Sequence, residues 1–128
     1  MVTRFLLVCA AGALGTGARY LLAGSVLRAF GTVFPWGTWT VNIVGSFLLS
    51  LLMQLGLESA LLPPSLRVVL ATGFLGGFTT YSTFNYETLA YLESGNFLWA
   101  LFNVAFTLFA CLGAGVLGLW VARWATGT

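Results

Sequence analysis

Long apolar runs separated by short polar or proline-containing breaks dominate the chain, and they fall into four segments: residues 5–30, 35–57, 66–92 and 97–124. Each exceeds the roughly 20 helical residues that cross a hydrocarbon core about 30 Å thick. The connections are short. Residues 31–34 read as a tight turn, with Pro35 suited to the first turn of the next helix. Residues 58–65 contain Pro63-Pro64, which no continuous helix tolerates, and Glu93-Ser94-Gly95-Asn96 reads as the last turn. A soluble helical bundle is excluded because no segment carries a broad charged face. A β-barrel would need short alternating segments, which are absent. The pattern predicts an all-α membrane protein of four transmembrane helices in a single unit, residues 1–128.

The polar residues inside these spans are ordered. Thr38, Asn42, Ser46 and Ser50 recur at i, i+4 spacing and form a slowly winding stripe on the second helix. Taken alone, the stripe reads first as interhelical hydrogen bonding. Small residues collect between Ala10 and Ala18 on the first helix and at Cys111, Gly113, Ala114, Gly115 and Gly118 on the fourth, where they allow close packing. The third span is different. Gly73, Gly76 and Gly77 lie within five residues, and six hydroxyl or amide residues follow within seven, from Thr79 to Asn85. Each Gly costs a helix about 1 kcal/mol against Ala, so a break is expected near Gly76-Gly77, with a restart near Thr79-Thr80. A broken membrane helix offers free N–H groups to anions and free C=O groups to cations. That is the strongest pointer in the chain to ion handling.

Composition narrows the chemistry further. The chain is 59% hydrophobic and only 6% charged, where a soluble domain carries about a quarter charged residues. Mean hydropathy is +0.99. There is no His, Asp or Lys, and the acids are Glu58, Glu87 and Glu93 alone. Histidine metal sites, Ser/His/Asp triads and paired-carboxylate hydrolysis are excluded, so no enzyme is expected. A net charge of +2 gives no reason to expect nucleic acid. Cys9 and Cys111 sit in apolar runs and read as small buried hydrophobes. The first apolar stretch is too long for a cleavable signal and reads as a retained span. Arg4, Arg67 and Arg123 fall on one membrane side and Arg28 near the other, a mild positive-inside bias.

Three motifs, in order and across essentially the whole chain, resemble the Fluc fluoride channels (the CrcB family). They are Gly15-Thr16-Gly17-Ala18-Arg19-Tyr20, then Pro35-Trp36-Gly37-Thr38-Trp39-Thr40-Val41-Asn42, then the stretch from Gly73 to Phe84 followed by Glu87. The resemblance implies an antiparallel, dual-topology homodimer in the inner membrane of the cell, with two pores that export F⁻ passively. It assigns Asn42, Tyr81, Phe84, Thr38, Ser82 and Thr83 to the fluoride pore, and Glu87 and Arg19 to its surroundings. It also implies a structural Na⁺ at the dimer axis, held by the backbone carbonyls of Gly76 and Thr79. Where the family usually has Phe, this chain has Tyr81, whose phenol oxygen adds a polar atom to the ring edge.

These residue types suit the task. Burying a bare ion costs of order tens of kcal/mol, so a pore must replace fluoride's water with comparable donors. Hydroxyls and an amide do so without a fixed charge, which leaves the ion free to depart. An aromatic ring has a positive edge that Phe84 can present to an anion. Glu87 would repel fluoride and is expected to orient donors or cap a helix. Arg19 is expected to draw anions into a vestibule or, better matched to a guanidinium, to neutralise free carbonyls at the break. The rival reading is a small dual-topology secondary transporter of the multidrug-exporter kind. That class carries an acid midway along its first helix, where this chain has Arg19.

Overall fold

A computed structural model describes residues 1–58 and 62–128. Among them there are helices and no strands. Helix α1 (Val2–Phe30), α2 (Trp36–Glu58) and α6 (Phe97–Thr126) are each long and apolar enough to cross a membrane. Between α2 and α6 the chain is segmented: α3 (Pro64–Val68), a π-helical stretch (Val69–Leu75), α4 (Gly76–Phe78) and α5 (Tyr81–Glu93). The spans expected from the sequence are recovered within a few residues, the usual uncertainty of helix ends. Pro64 sits in the first turn of α3, where its missing N–H costs nothing. The expected connection over 58–65 lies partly outside the described residues, at 59–61.

The segments run up and down between two ends. At one end Glu58 accepts a hydrogen bond from Thr126 Oγ1 at 2.7 Å, and the Arg67 stem lies over Gly56. At the other, Tyr91 Oη donates to Val33 O at 3.3 Å. The broken segment therefore joins the same two ends as the three long helices. Trp36, Trp39 and Trp99 cluster with Phe34 at the second end, and Trp120 and Trp124 are exposed near the first. Two levels of aromatic residues match the two interfaces of a bilayer.

Burial is inverted relative to a soluble protein. Large apolar side chains cover the outside, as at Leu14, Leu98 and Phe109. The buried set includes Thr38, Asn42, Thr80 and Asn103 beside a small apolar centre of Val41, Leu75 and Phe78. Small residues set the helix distances, as expected. A methyl group on Gly15 would collide with the Phe74 carbonyl, and one on Gly118 with the Phe47 carbonyl. Thus α1 lies backbone-to-backbone on the π-helical stretch, and α6 on α2. The protein is a multi-pass membrane protein.

Candidate functional site

The interruption of the third segment lies at Thr79 and Thr80, which are extended (φ −86°, ψ 160° and φ −149°, ψ 109°). This corrects the expected position at Gly76-Gly77. Gly76 has ordinary helical angles (φ −63°, ψ −36°) and helix continues through Phe78. A glycine only weakens a helix by about 1 kcal/mol, and α1 packed against this stretch outweighs that bias. What ends the helix is a captured backbone. Asn42 on α2 takes the Thr80 N–H on its Oδ1 at 2.8 Å and returns Nδ2–H to the Thr80 carbonyl at 2.9 Å. Thr80 then caps the new helix, its Oγ1 accepting from the Thr83 N–H at 3.3 Å.

These two captures have a specific consequence. In a continuous α-helix the N–H of residue i bonds the carbonyl of i−4. The N–H groups due to Gly76 O and Thr79 O are those of Thr80 and Thr83, and both are diverted. The Gly76 and Thr79 carbonyls thereby lose those helical donors. The Gly77 carbonyl receives Thr16 Oγ1 from α1 at 3.5 Å.

A groove of about 780 Å³ opens beside the break, between α2, α6 and the broken segment. Asn42, Gly76, Thr79, Tyr81 and Phe84 line it, with Ser46 and Ser50 further along the α2 stripe. The Tyr81 and Phe84 rings meet near edge-to-face, centroids 5.5 Å apart at 62°. One of the two Nδ2 protons of Asn42 is committed to Thr80. So five of the expected site residues converge on this groove.

The others do not line it. Thr38 donates to Glu87 Oε1 at 2.7 Å, so its proton is committed to that carboxylate. Glu87 Oε2 is buried without a partner among the described residues. Glu87 is thus the acceptor for Thr38 and ties α5 to α2. Ser82 and Thr83 are exposed on the first turn of α5 around Thr80 Oγ1, at 3.4 Å and 2.9 Å. Arg19 is half-buried on α1. Among the described residues it makes no hydrogen bond to the carbonyls of the break, where Thr16 meets that of Gly77 and Asn42 that of Thr80.

The roles of four residues are not apparent from the sequence analysis. Thr80 is the cap of α5, and a threonine before a restarting helix was a readable signal. Thr16 lies in the small-residue run of α1 and also meets the Gly77 carbonyl. Asn103 is buried in α6, and Thr107 beside the groove has a buried hydroxyl without a partner among the described residues. With Cys111 they form a second i, i+4 stripe that the sequence displays plainly.

Comparison with known proteins identifies the family. Residues 6–119 match the family described as CrcB-like protein, Camphor Resistance (CrcB). The chain is 51% identical over 126 residues to the fluoride-specific ion channel FluC of Anaeromyxobacter dehalogenans, covering 98% of this chain and 100% of that protein. It is 47% identical over 122 residues to FluC of Geobacter sulfurreducens (95% and 98% covered), and 50% identical over 112 residues to FluC of Sorangium cellulosum (88% of each). On residues and relatives alike, the chain belongs to the CrcB-like family.

Proposed function

We propose that this protein is a passive channel for fluoride in the inner membrane, built from two copies inserted in opposite directions, with the broken segment as the fourth crossing of each. The observation that carries the reading is the Asn42-clamped break at Thr79-Thr80, with uncharged donors on one side and carbonyls that have lost helical donors on the other. Non-helical backbone at membrane depth persists only where protein or water satisfies it. Here that backbone borders a groove that is mostly apolar, with Asn42, Ser46, Ser50, Thr79 and Thr107 as its polar positions, and a second copy is the cover we propose for its open side.

On the anion side, Asn42 offers its second Nδ2 proton in the groove, and the Ser82 and Thr83 hydroxyls stand on the exposed first turn of α5 outside its lining, bonded to Thr80 Oγ1. Phe84 offers a ring edge. None of these carries a fixed charge, so fluoride is held well enough to shed water and loosely enough to leave. Glu87 stays off the path, paired with Thr38. On the cation side, the Gly76 and Thr79 carbonyls lost their helical donors and fit a hard cation such as Na⁺, which prefers oxygen ligands. Bound there, Na⁺ would supply a fixed positive charge that stabilises the break.

The test is fluoride efflux from liposomes containing the purified protein. Fast efflux without proton coupling, with little chloride permeation, is expected. Efflux that requires a counter-transported proton would support the exporter reading, and no efflux at all would overturn both.

A further inference from the structure

We propose that Asn103, on α6, is a positioning residue for the pore aromatic Phe84, acting through Thr88. The proposal rests on the channel reading and adds to it a residue outside the groove lining. Asn103 is 1% exposed and makes two side-chain hydrogen bonds that can run in only one sense. Trp39 Nε1, a donor only, gives its proton to Asn103 Oδ1 at 2.7 Å. That fixes the amide, so Nδ2 must face Thr88, donating to Thr88 Oγ1 at 2.9 Å. The Thr88 proton then goes to the Phe84 carbonyl, one turn earlier on α5, at 2.9 Å. A polar chain thus runs from α2 through α6 to the backbone of the residue whose ring borders the groove.

The chain matters because α5 is located by a few polar tethers, this one among them. None of its residues is buried, and its packing is mainly against α6. Apolar contact alone leaves a helix free to slide or rotate, whereas a directional hydrogen bond one turn from Phe84 biases it toward one height and rotation. Asn103 sets where the Phe84 edge points without touching the ion.

Unitary fluoride current in planar bilayers reads this directly. A defect that only lowers the number of folded channels leaves the current through each one unchanged. Thr88→Val keeps the shape and removes the hydroxyl, and Thr88→Ser keeps the hydroxyl. The expected result is at least a threefold fall in unitary current for Thr88→Val, retention for Thr88→Ser, and the same fall for Asn103→Ala with no further fall in the double variant. Should Asn103→Ala fail to assemble, the Thr88 pair decides alone. Wild-type current in Thr88→Val, or equal losses in Thr88→Val and Thr88→Ser, overturns the proposal and leaves the channel reading standing. No fluoride current from the unaltered protein overturns the channel reading and the proposal with it.

Discussion

Replacing Asn42 by Ala tests the break most directly. The change removes the acceptor for the Thr80 N–H and one donor to the Thr80 carbonyl, both buried. A buried N–H left unmet costs about 1–3 kcal/mol, and the lost bond to the carbonyl about 1 kcal/mol more. Together, about 2–4 kcal/mol shifts a local opening equilibrium by a factor of roughly 30 to 700. The Thr80 amide reports that equilibrium through hydrogen exchange, since local opening exposes it to solvent deuterium. Peptides covering residues 79–83 should therefore exchange faster in Asn42→Ala by about that factor, with α6 unchanged, and liposome efflux should fall at least about tenfold. Alternatively the freed Thr80 N–H returns to Gly76 O and heals the helix, in which case protection stays and flux still disappears. A Thr80 amide as protected as in the parent, together with full flux, would refute the clamp.

Other expectations follow from the same contacts. Gly15→Val drives a side chain into the Phe74 carbonyl. It should cost about 1–3 kcal/mol or more by overpacking, seen as a lower thermal midpoint of the assembled protein; an unaltered midpoint would mean α1 does not lie on the broken segment this closely. Exchanging Na⁺ for a bulky organic cation should destabilise the assembly by about 2.7 kcal/mol when sodium had been present at 100 times its dissociation constant. Equal stability in the two salts would rule out a sodium site at Gly76 and Thr79. Reporter tags on the C-terminus should read out on both sides of the membrane, and labelling from one side only would argue against antiparallel insertion.

Much of this architecture is written in the amino-acid pattern, because a bilayer demands length and apolarity and little else. Residues 5–30, 35–57 and 97–124 gave their helices to within a few positions for that reason. The small residues at Gly15 and Gly118 likewise marked real close approaches. The break was visible as a region and misplaced as a position. Helix propensity pointed to Gly76-Gly77, but the cause is a side chain 38 residues away in sequence, Asn42, which the glycine count cannot see. The π-helical stretch at Val69–Leu75 had no local signature at all. Asn42, Tyr81 and Phe84 were legible as candidates from the stripe and the motif. The Asn103, Thr107 and Cys111 stripe has the same spacing and went unread beside the glycines of its helix.

The hydrogen bonds around α5 explain why so exposed a helix can hold a defined place. Asn42 grips its first turn at Thr80 and Thr38 grips its middle at Glu87, both from α2. Asn103 holds Thr88 from α6, and Tyr91 reaches the Val33 carbonyl at the far end. Side-chain hydrogen bonds between membrane helices contribute about 0.6 kcal/mol each on average and about 1.7 at most. These tethers together supply a few kcal/mol, enough to bias the orientation of α5 and too little to make it rigid. Because polar tethers rather than buried apolar side chains locate the helix, Tyr81 is left exposed and Phe84 only half-buried where both line the groove. A ring edge at the groove, with the Thr80, Ser82 and Thr83 hydroxyls joined on the adjoining turn, suits the proposed path for a dehydrated anion, and a helix so lightly held is one that the proposed second copy would fix.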